Sequence, residues 1–324
     1  MKKLIIMLLT VLMVFLIVSC GGTETTSPEQ PAEGGDKPYI PMIALGFSHQ
    51  FWQAVKSGAE QAAEEFDVVI TFEGPETETM VDKQVDMLKT ALSKDPAAIC
   101  MAAIDNESVA ADLTEAKKKG IKVVGFDAGV GDLADSHCST SNYEAGALAA
   151  ENAARLLNNK GVVAVVGHSQ TTVDAVARVE GFMETIQNNY PDIEIVDVQY
   201  GEGDHLKSAD IAKSMLTANP NINLIYASNE GACVGAYNGM KEIGKIGGVM
   251  LVGFDSSAVM KEAIRNGEIA GAITQDPVGM GYKAVEVAVK LINGESVEPI
   301  IDTGCYWYDA SNMDEDHIAP LLYD

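Results

Sequence analysis

The chain has 324 residues, 47% of them apolar, and a formal net charge of −25. This apolar content excludes disorder for its bulk, and the length suffices for two domains that each bury a core. So acidic a chain is a poor nucleic-acid binder, because phosphate contacts depend on Lys and Arg releasing counterions; the charge reads as a solvated surface.

Residues 1–20 read as a secretion signal. Lys2 and Lys3 form the positive end, and Leu4 to Val18 form an apolar stretch broken only by Thr10. The stretch is short for a membrane-spanning helix. It ends in Leu16-Ile17-Val18-Ser19-Cys20-Gly21, which resembles the bacterial lipobox. That resemblance implies lipidation of Cys20 and an extracytoplasmic protein anchored to the cell membrane, since two or more acyl chains give stable attachment. An ordinary signal peptide is the alternative. Residues 21–38 contain no large apolar side chain before Pro38, so they read as a flexible tether spanning on the order of 20–25 Å.

From there apolar runs and helical patterns alternate. Strands are expected at 42–47, 68–72, 98–101 and 123–127, with helices at 51–65, 77–93 and 108–119 between them. A long Ala-rich helix follows Ser139-Thr140-Ser141-Asn142 and runs to Asn158. The alternation then resumes, with strands at 162–166, 193–198, 224–227, 251–255 and 269–274. Helices are expected at 174–188, 207–218, 231–243 and 279–292, followed by a tail containing Tyr306-Trp307-Tyr308. This pattern predicts parallel sheets with helices on both faces.

The two halves repeat. Val123-Val124-Gly125-Phe126-Asp127 recurs as Leu251-Val252-Gly253-Phe254-Asp255, Gly58 answers Gly181, and the segment ending Asp95-Pro96 answers that ending Asn219-Pro220. One β-α-β-α-β unit is written twice. In such sheets ligands bind beyond the carboxyl ends of the strands, where Phe47-Ser48-His49, Asp105, Asp127, Gly167-His168-Ser169, Asn229-Glu230, Asp255 and Gln275-Asp276 fall. Two facing lobes would grip a guest between them.

Catalytic signatures are missing. The sequence has no Gly-rich phosphate loop ending in Gly-Lys-Ser or Gly-Lys-Thr, no dinucleotide fingerprint and no nucleophile elbow. The five His are scattered, and Cys100, Cys138, Cys233 and Cys305 each stand alone, so neither a metal nor a cofactor is expected. An exported chain could oxidise these cysteines, and sequence leaves their pairing open.

From about Tyr39 to Asp309 the chain resembles the type I periplasmic solute-binding proteins of ABC transporters, in the ribose- and galactose-binding group. The resemblance rests on the adjacent aromatics Phe51-Trp52, Asp127 and Asp255 ending Gly-Phe-Asp strands, and Asn142 in Ser-x-Asn. It also rests on Arg178-Val179-Glu180-Gly181-Phe182, the Asn229-Glu230 pair and Gln275-Asp276-Pro277. It implies a ligand site built from His49, Phe51, Trp52, Asp127, Asn142, Arg178, Asn229, Asp255 and Gln275. Departures concern the guest: Ala128 stands where these sugar binders often carry Arg, His49 where they often carry Asn, and Gly203 near where a second-lobe aromatic is expected. His205, Tyr306 or Trp307 are candidate substitutes.

Bland readings stand beside these. Phe51 and Trp52 could be helix core, although adjacent helical residues do not share a face, so at least one is expected in the cleft. Asp127 and Asp255 could be helix caps, Arg178 a surface ion pair, and Asn142 and Gln275 hinge residues.

The expected architecture is two Rossmann-like lobes, 39–140 with 277–301 and 141–276 with 302–324, in the periplasmic binding protein type I arrangement. Crossovers near 139–142, 274–277 and 301–304 would form a three-stranded hinge. The expected function is capture of a monosaccharide or similar small polyol, ribose-like and uncharged, by a monomer that delivers it to an ABC permease powered by a separate ATPase. A nucleoside or a furanosyl signalling molecule is the alternative guest, and a secreted hydrolase the alternative class. A repressor of the same fold would need a basic helix-turn-helix where this chain has a signal and an acidic tether.

Overall fold

The computed structural model describes residues 37–324. The expected signal segment, Cys20 and most of the expected tether lie outside the described residues.

The first half builds β1 (Tyr39–Ile43), α1 (Gln50–Glu65), β2 (Val69–Glu73), α2 (Val81–Leu92), β3 (Ala98–Met101), α3 (Asn106–Lys118), β4 (Lys122–Phe126) and β5 (Ser136–Ser139). The second half builds α4 (Asn142–Leu156), β6 (Gly161–Gly167), α5 (Val173–Asn189), β7 (Ile193–Tyr200), α6 (His205–Ala218), β8 (Leu224–Ala227), α7 (Glu230–Glu242), β9 (Met250–Phe254), α8 (Ala258–Arg265) and β10 (Gly271–Gln275). The chain closes with α9 (Pro277–Ile292), β11 (Ile300–Asp302) and β12 (Cys305–Tyr308).

Two six-stranded sheets result, in the orders β11-β5-β4-β3-β1-β2 and β12-β10-β9-β8-β6-β7. Substituting each strand by its counterpart converts one order into the other, so the repeat seen in the sequence is a repeat of topology. The chain passes between sheets three times: after β5 at Thr140-Ser141, after β10 at Asp276, and between β11 and β12 at Thr303-Gly304. All strand pairs are parallel except β10 with β12.

Parallel strands covered on both faces must be apolar throughout, and β3 and β8 are buried at every position. Helix packing is close where glycine removes a side chain. A Cβ on Gly58 of α1 would lie 1.8 Å from the Val278 carbonyl oxygen of α9, and one on Gly181 of α5 would lie 2.1 Å from the Tyr143 carbonyl oxygen of α4. The same backbone-to-backbone contact thus serves both lobes.

Four elements escape the hydrophobic pattern: β5, α8, β11 and β12. Strand β5 is Ser136-His137-Cys138-Ser139, whose serines are buried and whose His137 is half-buried between β4 on one side and β11 on the other. Helix α8 is short, and β12 comes from the aromatic tail, where Trp307 joins the second lobe's core. Helix α2 begins at Val81 rather than near Thr77, and the intervening turn carries Glu78. Cys100, Cys138, Cys233 and Cys305 are all free thiols. The first three are buried, and desolvation pushes Cys138 up to about 12 and Cys305 up to about 11.

Candidate functional site

Asp127 and Asp255 follow β4 and β9 with φ of 52° and 74°. Left-handed backbone costs a non-glycine residue about 1–3 kcal/mol and clusters at functional sites, although Asp tolerates it better than most. The bend lets each N–H complete a ladder bond, Asp127 to the Cys138 carbonyl at 3.1 Å and Asp255 to the Ile273 carbonyl at 2.6 Å, while the side chain turns off the sheet.

Neither aspartate caps a following helix. Ser257 caps α8 by accepting from the Met260 N–H. The Asp255 carboxylate instead accepts from the Glu230 N–H at 3.0 Å and from Gln275 Nε2 at 2.7 Å. Gln275 Oε1 in turn accepts from Thr140 Oγ1 at 2.7 Å, so Gln275 links the first crossover to the cleft. Asn229 is the N-cap of α7, its Oδ1 accepting from the Ala232 N–H at 2.8 Å, which leaves its Nδ2 for the cleft.

Arg178, on α5, is only 2% exposed, which excludes a surface ion pair. Its Nε donates to Asn142 Oδ1 at 2.7 Å and its Nη1 to the Ser228 carbonyl at 3.1 Å. Its guanidinium lies 3.8 Å from the centre of the Phe254 ring, a stacking that suits a planar cation. Nη2 stands 3.9 Å from both Asp127 and Asp174. Burial and the Asp174 charge drive the Asp127 carboxyl well above the usual range, with Arg178 only partly opposing them. Asp174 goes the other way: burial is outweighed by His168 and Arg178, which hold it ionised. His168 bonds Ser228 Oγ at 2.7 Å and Asp174 Oδ2 at 2.9 Å.

A second polar group crosses the cleft. His49 meets Glu78 Oε1 through Nδ1 at 3.0 Å and the Gly203 carbonyl of the opposite lobe through Nε2 at 2.9 Å. Two acceptors require both ring nitrogens to donate. Accordingly the ring holds its proton up to a pKa of about 10, because Glu78, Glu230 and the Gly203 carbonyl together outweigh desolvation. The same Glu78 oxygen accepts from Trp52 Nε1 at 2.9 Å. Glu230 reaches across from the second lobe and accepts from the Gln50 and Phe51 N–H groups at 3.2 and 3.1 Å. These are among the unpaired N–H groups that open α1.

Phe51 and Trp52 are both buried in the first lobe's core cluster. Trp52 packs edge-on against Phe51 and Phe126, with ring centres 4.9 and 6.3 Å away. Both also line the central chamber, because the start of α1 is walled by its own sheet on one side and by the opposite lobe on the other.

The central chamber brings together Leu45, His49, Phe51, Trp52, Glu78, Asp127, His168, Asp174, Arg178, Asn229, Asp255 and Gln275. Of the site residues expected from the sequence, only Asn142 is outside this lining; it holds Arg178 from behind. The chamber is drawn tight, with a volume of about 20 Å³. Sequence reading missed Glu78 and Asp174 as site residues and placed His168 only at the ligand-facing end of its strand. Asp174 carried a signal, four residues before Arg178 on one helical face; Glu78, in a turn, carried none. Asp105 caps α3 through the Ser108 N–H and stands outside the chamber. Tyr306 and Trp307 are outside it too, so they do not replace the aromatic missing at Gly203. Among the described residues no cluster of His, Cys, Asp and Glu could hold a metal ion.

The chain was compared with known proteins. Residues 40–296 match the model of the family described as periplasmic binding protein domain. The D-apiose import binding protein of Actinobacillus succinogenes is 27% identical over 86% of this chain and 90% of its own length. The Ribose import binding protein RbsB of Salmonella typhimurium is 25% identical over 81% of this chain and 87% of its own. Among solved structures, an ABC transporter solute binding protein from Agrobacterium vitis bound with alpha-D-tagatopyranose superposes with a TM-score of 0.85 at 26% identity, covering 89% of this chain and 100% of that one. A carbohydrate transporter solute binding protein from Agrobacterium radiobacter in complex with D-arabinose gives 0.83 at 27% identity, over 88% and 99%. With the family model spanning most of its length and a matching two-sheet architecture, the chain belongs to the periplasmic binding protein family.

Proposed function

We propose that this protein captures a small uncharged sugar or polyol between its lobes and delivers it to the permease of an ABC importer. The observation that carries this reading is the composition of the central chamber. It combines Asp127, Asn229, Asp255 and Gln275 with Arg178 and the ring of Trp52, the mixture of rim acceptors, rim donors and flat apolar surface that a polyhydroxylated ring requires. The relatives named above for ribose, apiose, tagatose and arabinose support the same class of guest.

Charge balance favours a neutral guest. Arg178 is set against Asp174, and His49 against Glu78, so the chamber's cations already have anionic neighbours. Micromolar binding needs about 8 kcal/mol, within reach of several hydrogen bonds to charged groups at roughly 1.5–3 kcal/mol each. The protein acts as a binding module and breaks no bond. It works outside the cytoplasmic membrane as a monomer, with a lipid on Cys20 holding it near the permease and the associated ATPase supplying energy.

The test is a thermal-shift screen of monosaccharides and polyols followed by calorimetric titration. A guest at a hundred times its Kd stabilises the folded chain by about 2.7 kcal/mol. Stabilisation by at least one sugar, weakened at least tenfold in affinity by Asp255→Ala, is the expected result. A flat response to every sugar and polyol sinks the reading.

A further inference from the structure

A second chamber opens beside the central one. Its volume is about 450 Å³, against about 20 Å³ in the centre, and Leu45, Glu78 and His168 wall both. A molecule that passes this shared wall would occupy both, and the larger space is of the size that holds a small-molecule ligand. Both lobes contribute: Glu78, Thr79 and Ile104 from the first, and Tyr200 with the loop from Ser169 to Thr172 from the second.

On the opposite side lies a third chamber of about 460 Å³, lined by Thr77, Glu202, His205 and Lys207, with His49 and Glu78 standing between it and the centre. His49 is bonded to the Gly203 carbonyl, and a Cβ added to Gly203 would lie 2.9 Å from Glu78 and 3.2 Å from His49. The His49–Glu78 pair thus fills the space over Gly203. A guest longer than one ring that leaves the His49–Gly203 bond intact extends toward His168.

Two buried polar atoms at the joint of the chambers lack a hydrogen-bond partner: Asp174 Oδ1 and Thr172 Oγ1. Their residues are 4% and 6% exposed. The Thr172 hydroxyl is near enough to help hold the Asp174 carboxyl ionised, but the two do not form a well-aligned bond. Asp174 lines the inner chamber and Thr172 the outer. Buried polar groups left unpaired are costly, so they favour a ligand that supplies hydroxyls at that point.

The outer walls say what kind of group follows. Ser169, Gln170 and Thr171 are polar and neutral, Tyr200 gives an aromatic surface, and the carboxylates of this lining are Glu78 and Glu202. With no Lys or Arg in this lining, a phosphate finds no partner. An uncharged ring edged with hydroxyls does.

We propose that the guest is a sugar bearing a second uncharged sugar ring, a disaccharide or O-glycoside, whose second ring lies in the outer chamber against Thr172 and Tyr200. This rests on the sugar-binding reading. Calorimetric titration of the full chain compares D-glucose, D-galactose and D-ribose with cellobiose, lactose, melibiose and methyl glycosides of the same rings. At least one two-ring sugar is expected to bind ten times more tightly than either of its component monosaccharides. Thr172→Val, nearly isosteric, and Thr171→Trp, which fills the outer chamber from an exposed position, should each cut that ratio severalfold. A monosaccharide that binds as tightly as every glycoside containing it overturns the second subsite and leaves the sugar reading standing. Failure of every sugar in the panel overturns both.

Discussion

Arg178 shows how a single side chain organises the site. Its guanidinium stacks on Phe254, donates to Asn142 and Ser228, and stands between Asp127 and Asp174. Removing one member of such a buried group leaves the others uncompensated. Arg178→Ala is therefore expected to lose about 3–5 kcal/mol of stability in urea titration and to abolish detectable sugar binding. His49 supplies a pH dependence. Its pKa rises from 6.5 to about 10 in the folded protein, so folding favours the protonated ring. The resulting stability is fully present below pH 6.5 and is lost as pH climbs toward 10. Glu78 is shifted down, so its contribution disappears on the acid side instead. Melting temperatures of the ligand-free chain should decline between pH 7 and 10, and His49→Gln should flatten that decline; an unaltered slope would argue against a charged His49.

At the scale of elements, the helix pairs rest on glycine. Gly58→Ala puts a methyl group 1.8 Å from the Val278 carbonyl oxygen, and Gly181→Ala puts one 2.1 Å from that of Tyr143. Neither backbone can yield without separating α1 from α9 or α5 from α4. Each substitution should cost about 1–3 kcal/mol or more by overpacking, read from chemical denaturation. Two further elements meet through Glu230, whose carboxylate accepts from the Gln50 and Phe51 N–H groups at the start of α1 in the other lobe. Glu230→Gln substitutes a donor for one of those acceptors, facing a donor. It should shift the lobes toward an open arrangement, visible as a larger radius of gyration in small-angle X-ray scattering, and weaken ligand binding roughly tenfold, or about 1.4 kcal/mol. Scattering and affinity that match the wild type would remove Glu230 from the closing contact. The elements themselves were mostly legible in the chain. Strands such as Ala98–Met101 and Leu224–Ala227 are continuous apolar runs, and a run of that kind announces a strand buried on both faces. Strand β5, with two serines and a histidine, announced nothing, because its burial comes from neighbours distant in the chain.

For the whole molecule, the doubled Gly-Phe-Asp strand marked the repeat. A repeated β-α-β-α-β unit builds either one doubly wound sheet or two lobes, and in both the polar residues after each strand collect at the carboxyl edges. That reasoning reaches Asp127, Asp255, Asn229 and Gln275 without coordinates. It does not reach Glu78, which lies in a turn outside any periodic pattern, nor the pairing of His168 with Asp174, nor the fact that His49 spans to Gly203. The resemblance also implied Asn142 in the site, whereas the folded chain sets it behind Arg178. The difference has a physical origin. Hydrophobic periodicity is local and survives in one dimension, so the sequence determines which segments become strands and helices and which ends face the cleft. The partners of a buried charge are chosen by distance across lobes that meet only after folding, so the ion pairs, their protonation and the shape of the two chambers belong to the tertiary structure alone.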